Sequence, residues 1–534
     1  MNKDQTIEGI NTLRWETTDV SNRIRLLKQV KANLESQAMR LASADMSMKN
    51  QRVGESTYTL KTSIACTVAP VASTLSACIF LYETLLKSNK LPQPIEVKQL
   101  SNNLYDAHVF PDQLKDRILY GDRKDILRIK GKPKQVNPMD KPAGIIAVLC
   151  AGNYASPLEI IKAIFLENSA VVCKPHPLNQ QTDKIWEIVF APLIDHEVLS
   201  YHEANAGEAL IKNPALTKIY FTGSAKTAQK IEASTRTPLV SECGGNNPCI
   251  IVPGIRPWTD DELAHQALQI TTAAKMNGGA VCGRPQTIVT SKHWPQRQAF
   301  ISALKKAICE DTPAVASYYP GFEDTLLAFS EAQPNAVTLK TEDNKHDHSD
   351  VLFIENIDED SYAAKNEDFC QIISEVSLDV PVLTSDFLPF AVDFCNQKLI
   401  GTLSASIIID EDTKKSFSSV LDQAVTELKY GAIAINNMPP LIFLNPYLTW
   451  GGNEEGSIVE SGRGNFGNLL CFENIEKSII SSSFISAGHL MNTNKKTFDA
   501  LAHTMTMYTV NPTWFNLIKL ASTAMMGKFR KKDF

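Results

Sequence analysis

The stretch Gly144–Asn168 reads "GIIAVLCAGNYASPLEIIKAIFLEN". Its first six residues are an uninterrupted apolar run, the length of one buried strand. "CAGNYA" breaks the run with a glycine and an asparagine, as a loop does. The rest carries a helix-start signature: Ser156 as N-cap, Pro157 at the first helical position and Glu159 completing a capping box. Strand, loop and helix are then repeated. "SAVVCK" (169–174) is a second strand, followed by a helix over 182–190. "TKIYFTG" (217–223) runs directly into the helix "SAKTAQKIEAS" (224–234). "TPLVSECGG" (237–245) and "NPCIIVP" (247–253) are further strand candidates. Such alternation predicts a parallel α/β sheet that binds its ligand at the strand C-termini.

A second unit is expected after Pro253. Thr259 and Glu262 form a capping box for a helix to about Lys275, with Leu263, Ala267, Ile270 and Ala274 on one face. Asn277-Gly278 is a helix stop, so "NGGAVCGRPQ" (277–286) is a loop that leads into the strand "QTIVT". Cys282 lies in this loop, one of eleven cysteines in the chain.

The composition bounds the remaining possibilities. At 534 residues, two or three structural units are expected. Hydrophobic residues make up 43% and charged residues 21%, as in globular proteins. The net charge is 53 − 59 = −6 with scattered basic residues, which excludes an electrostatic footprint for nucleic acid. The odd cysteine count, without CxxC pairs or metal-type spacing, predicts reduced thiols in the cytoplasm. The polar N-terminus shows no secretory signal. Ile64–Tyr82 has the length of a membrane span, but Pro70 and its Ser, Thr and Ala residues predict a buried helical pair. The C-terminal "TWFNLIKLASTAMMGKFRKKDF" is apolar, then basic. It reads as a segment docked on the protein or on a partner subunit, with a peripheral membrane contact as the alternative. His346 and His348 read as a solvated loop and not as a metal site.

Several residues stand where chemistry is possible. Gly223-Ser224 lies at a strand end and helix start, where free N–H groups suit a phosphate; an ordinary turn is the alternative. Glu242, at a strand end before two glycines, is a candidate general base or a hydrogen-bonded turn residue. Lys174, at another strand end, is placed to meet a ribose or phosphate, or is simply solvated. "GRGNFG" (462–467) satisfies G-x-G-x-x-G literally, but lacks the βαβ context of a dinucleotide fingerprint and reads as a loop near a site.

The order "GNY", "CKP", "FTGS", "ECGGNNP", "GGAVC", "NEDF", "WGG" resembles the aldehyde dehydrogenase superfamily from about Lys141 to Asn474. The closing "LKYGAIAIN…WGG" and the long tail are similar to a poorly characterised bacterial and plant branch. The resemblance implies a Rossmann-type cofactor domain, an α/β catalytic domain and a small bridging, oligomerisation β element. The implied segments are 1–123 (helical part of the cofactor domain), 124–140 (first bridging strands) and 141–253 (cofactor domain). They continue with 254–452 (catalytic domain), 453–490 (return to the cofactor domain and bridging strand) and 491–534 (tail).

It also implies roles. Cys282 would be the nucleophile, Glu242 the general base and Asn153 an oxyanion-hole amide. Lys174, Gly223 and Ser224 would hold the ribose and phosphates of NAD or NADP, and Glu367 and Phe369 would touch its nicotinamide end. The implied reaction oxidises a small-molecule aldehyde to an acid through a thiohemiacetal and a thioester on Cys282. Acyl transfer to CoA, a reductase and a non-catalytic ligand-binding descendant are the alternatives. A homodimer or homotetramer is expected. The glycines beside Cys282 would give clearance to substrate and nicotinamide. Cys282 follows a helix C-terminus, whose dipole does not lower a thiol pKa. Four positions depart from the family pattern: Ala280 in place of Gln, Pro177 in place of a ribose-binding Glu, Ala228 in place of Gly, and no Glu after Gly462-Arg463.

Overall fold

Gly144–Leu149 is a strand with all six residues buried, as a parallel strand covered on both faces must be. The computed structural model of this chain describes residues 7–54, 56–100, 103–341, 347–454, 459–486, 488–489 and 495–529. Gly144–Leu149 is the centre of a five-stranded sheet, flanked by Ser169–Lys174 and Leu199–Tyr201 on one side. Lys218–Thr222 and Leu239–Glu242 lie on the other side, and every pairing is parallel. The strand order therefore reverses between Gly144–Leu149 and Lys218–Thr222. A crevice opens at such a switch point, outside the strand carboxyl ends. Asn153 and Gly223 follow those two strands.

Pro248–Ile251 belongs to a second sheet, of eleven strands, where it pairs in parallel with Thr287–Ser291 and Ser404–Ile408. The chain therefore leaves the smaller sheet immediately after Glu242, and not after Pro253. The reason is visible at Gly244 and Gly245, both at positive φ: this turn carries the backbone from one sheet to the other. On one side the larger sheet ends in Ile475–Ser481, antiparallel to Lys124–Lys130, then Leu104–Phe110 and Glu96–Gln99. Ile475–Ser481 also runs parallel to Ala432–Ile435.

The helix after Gly144–Leu149 spans Pro157–Phe165, but the expected capping box is absent. Ser156 is left-handed at φ 56° and caps nothing in the helix. Its hydroxyl instead accepts from the Ala151 N–H, and Tyr154 Oη accepts from the Leu158 N–H. Glu159 is thereby freed from the helix end and turned into the interior, 2% exposed. Thr259 and Glu262 do form their capping box, on the helix Asp260–Lys275.

Ile64–Tyr82 folds as two helices, Leu60–Thr67 and Ala69–Ser88, with Pro70 in the first turn of the second. By length and composition Leu60–Ser88 would cross a bilayer. In the fold, Val71, Leu75, Cys78 and Leu81 enter the same core as Leu27, Val30 and Leu34 of the helix Val20–Val53. Arg23 locks this packing. Its buried guanidinium donates to Tyr82 Oη, Asn168 Oδ1 and two backbone carbonyls, and stacks on Trp15 at 4.1 Å.

The tail forms a helical hairpin, Lys495–Val510 and Trp514–Phe529. Leu501, Tyr508, Leu517 and Leu520 bury against Leu119, so the hairpin docks on the body of the chain. Its second helix leaves Phe515 and Ile518 largely exposed. Among the described residues no three potential metal ligands converge. His348 packs edge-on against Phe322, and His346 lies outside the described residues.

Candidate active site

The helix Asp260–Lys275 ends in three consecutive left-handed residues, Asn277, Gly278 and Gly279. A side chain at Gly278 would strike the Ala316 carbonyl and Tyr58, and one at Gly279 would strike the Cys370 carbonyl. Gly283 faces the Trp450 ring just as closely. Close packing therefore requires all three glycines, and φ requires Gly278 and Gly279 as well.

The loop is clamped by the larger sheet that it leads into. Asn247 Nδ2 donates to the carbonyls of Cys282 (2.7 Å) and Arg284 (2.9 Å), while its Oδ1 accepts from Ser404 N–H. Arg284 is buried and reaches Asp368 (2.5 Å) and the carbonyls of Cys370 and Ile372. Asn247 stands in the quoted "ECGGNNP", yet only the fold shows its purpose. Asn247→Ala removes three buried hydrogen bonds and is expected to cost about 3 kcal/mol of stability; thermal and denaturant unfolding check it.

Cys282 is half-buried in this loop, and Glu242, 3% exposed, faces it from its strand end. Burial, and then the Glu242 charge, raise the Cys282 thiol well above its ordinary range. Burial also raises Glu242, against the pull of the Cys282 thiol and the Trp450 N–H beside it. Glu242 Oε1 and Trp450 Nε1 nevertheless close no hydrogen bond, so this carboxylate oxygen is available. The Cys282 backbone N–H also donates to no described residue.

Asn153 shares one cavity with Cys282 and Glu242. Its amide donates to the Ala280 carbonyl at 3.1 Å, which leaves one N–H of its two. The same carbonyl accepts from Asn277, and the Ala280 side chain is buried beside Tyr58 and Tyr318. A Gln at 280 would not fit that apolar cluster.

Lys174, Gly223 and Ser224 lie outside this cavity, along the carboxyl edge of the smaller sheet. Lys174 has no acidic partner among the described residues. Ser224 caps the helix Ala225–Ser234 by accepting from Thr227 N–H, and the earlier N–H groups of this first turn remain open. An ammonium and free helix N–H groups are a donor set suited to an anion. Gly223 N–H donates to the Glu242 backbone carbonyl at 3.0 Å, tying this turn to the strand end that carries Glu242. Ala228 lies fully buried on the sheet-facing side of that helix.

Glu367 and Phe369 come from the larger-sheet body. The Glu367 carboxyl lies against Gly244, where a Cβ would collide with it; its charge helps raise the Cys282 thiol, and the Glu242 charge helps raise Glu367 itself. Burial, then Asp368, push it up to about 8. Phe369 is left-handed and packs edge-on against Tyr319 at 4.9 Å.

Two further groups join the site. Glu159 lines the cavity, has one oxygen without a partner, and is pushed up to about 7 by burial. Lys162, one turn on, is buried between the Phe443 and Phe466 rings and is brought down to about 8 by burial. An i, i+3 Glu–Lys pair inside "PLEIIKAIF" was the available signal, since that helix is otherwise apolar. Phe466 belongs to "GRGNFG", whose glycines pack against Ser241 and Val240, so the motif serves as a packing loop beside the site.

The family model "Aldehyde dehydrogenase family" matches residues 113–313. The FUS7 protein of Gibberella fujikuroi, which bears an aldehyde dehydrogenase name, is 25% identical over 60% of this chain and 68% of its own. Aldehyde dehydrogenase LUC3 of Fusarium is 32% identical over 31% of this chain and 34% of its own. Among solved structures, the NADP-dependent glyceraldehyde-3-phosphate dehydrogenase of Bacillus halodurans, complexed with NADP, shares the fold. Its TM-score is 0.61 at 16% identity, covering 88% of each chain. The P. syringae indole-3-acetaldehyde dehydrogenase with NAD+ shares it too, at TM-score 0.61 and 16% identity, covering 88% of this chain and 85% of that one.

Proposed function

Because the chain belongs to the aldehyde dehydrogenase superfamily, we propose that it oxidises an aldehyde to the carboxylic acid with NAD or NADP. The observation that carries this reading is the meeting of Cys282, Glu242 and Asn153 in one cavity. Lys174 and the first turn after Gly223-Ser224 would hold the cofactor phosphates and ribose, with Glu367 and Phe369 toward the nicotinamide. When bound, the nicotinamide supplies the two-electron acceptor. Pro177 opens a short turn capped by His176 and offers no carboxylate to a ribose, which leaves room for the 2′-phosphate of NADP.

Cys282 attacks the aldehyde carbon as a thiolate. Its thiol starts protonated, so a base must take that proton, and Glu242 is the carboxylate beside it. The developing oxyanion accepts from the free N–H of Asn153 and from the Cys282 backbone N–H. After oxidation Cys282 carries a thioester. Glu242 then activates water, and the acid leaves. Asn153→Ala is expected to lower kcat about 100- to 1,000-fold, with the cofactor Kd little changed.

The proton collected by Glu242 needs an exit, and the usual acid after Gly462-Arg463 is missing. Glu159 takes that place as a positioning residue. It faces Lys162 on its own helix, Glu242, Tyr154, and Tyr220 and Cys173 of the neighbouring strands. Being held near 7, it gains its charge as pH rises through neutrality. The deacylation rate should therefore rise with an inflection near pH 7, and Glu159→Gln should remove that inflection while sparing aldehyde KM. Stopped-flow pH profiles of both proteins check this.

The exposed edge strand Glu96–Gln99 is the surface through which a cytoplasmic homodimer or homotetramer would form. An aldehyde panel with NAD and NADP tests the reading as a whole: oxidation of no aldehyde by either would overturn it.

A further inference from the structure

The cavity that holds Cys282 does not end there. Its volume is about 870 Å³, toward the upper end of the roughly 300–1,000 Å³ of ligand sites. The polar catalytic groups occupy the part formed by the smaller sheet and the cysteine loop. The remainder is walled by helices that the chemistry does not need. Phe443 and Tyr447 precede Trp450; Phe80 comes from Ala69–Ser88; Ala502, Met505 and Trp514 come from the C-terminal hairpin. The charged Asp45 and Lys49 on this wall neutralise one another at 2.9 Å. The outer rim reaches Trp514, which is half exposed, with exposed Phe515 next to it.

We propose that this extension is a tail channel, and that the substrate is an aldehyde at the end of a long, unbranched alkyl chain. The proposal deepens the oxidation reading and rests on it for the aldehyde end alone. Short aldehydes would leave most of this volume empty, and the cations on its lining are already engaged: Arg123 with Asp125, Lys115 with the Pro512 carbonyl, and Lys275 with the Ile308 carbonyl and Thr312. The helices of Leu60–Ser88 and the docked hairpin then share one purpose, which explains why a segment apolar enough for a membrane is packed around this cavity. A chain of roughly ten to sixteen carbons suits such a volume.

Two measurements test it, and they fail separately. In the first, hexanoate, decanoate and hexadecanoate are titrated calorimetrically into Cys282→Ala, which requires no turnover. Each added methylene buried in the channel should tighten binding by up to about fourfold; affinity independent of chain length would overturn the channel. In the second, kcat/KM of the full chain is measured along the alkanal series with NAD and with NADP. An optimum at about ten carbons or more supports the proposal, and an optimum at two to four overturns it. If no alkanal is oxidised while carboxylate affinity still climbs, the oxidation reading fails and the channel stands. Ala502→Trp places an indole in the channel and should move the optimum to shorter chains. Since the optimum is a ratio of rates, partial loss of folded protein cancels from it.

Discussion

Cys282→Ala should abolish steady-state aldehyde oxidation, a loss of at least about 10⁴-fold. The expectation rests on where this cysteine sits. Eight of the other ten, including Cys150, Cys173, Cys243 and Cys249, are buried among the described residues. Cys66 is exposed on the same cavity and Cys309 is half-buried, but Glu242 feels the thiol of Cys282 and of neither of these. Cys370 touches the loop through its backbone, where its carbonyl receives Arg284. Only the Cys282 thiol faces Glu242, with an unpaired backbone N–H on the same residue. The substitution removes a sulfur from a loop held by Asn247 and Arg284, so the fold and cofactor binding should persist. Circular dichroism and cofactor titration report on those, and NAD(P)H absorbance reports on turnover. Substantial activity in this variant would sink the mechanism. Because burial and Glu242 both raise the thiol, the wild-type burst rate should climb as pH rises above neutrality. The cause is local: the helix C-terminus ahead of Cys282 gives no help to a thiolate, so the base and the bound cofactor must.

Glu242→Gln should separate the two halves of the reaction. One turnover's worth of NAD(P)H is expected, followed by a steady state reduced about 100- to 10,000-fold. The protein should then carry the acyl group as a thioester on Cys282, detectable by intact mass. Gln keeps the size of Glu in a position that is 3% exposed and needs no charge partner, since Oε1 has none. The loss would therefore report the missing base and not a collapsed site. A variant with no burst at all would assign Glu242 to thiol activation alone. A full steady state would return the acyl-transfer alternative, in which water is not the acceptor.

The sequence carried much of this by itself. Strand–helix alternation after Lys141 specified a parallel sheet because buried strands and amphipathic helices leave distinct periodicities. Thr259 and Glu262 specified a helix start because a capping box is satisfied within four residues. The motif order singled out Cys282, Glu242 and Asn153. What stayed hidden depended on partners distant in the chain. The signature at Ser156–Glu159 was misleading because its residues found better partners in Ala151 and the interior, which turned a presumed cap into a buried carboxylate. Pro248–Ile251 went to the other sheet because a strand's apolar pattern does not name its neighbour. The glycines around Cys282 were needed for contacts with Ala316, Cys370 and Trp450, contributed by three separate segments. The tail and the Leu60–Ser88 helices were equally apolar whether they faced lipid, a partner or the body. Local sequence determines which faces must be buried; only tertiary packing decides against what, and here it decided on a wall around the cavity of Cys282.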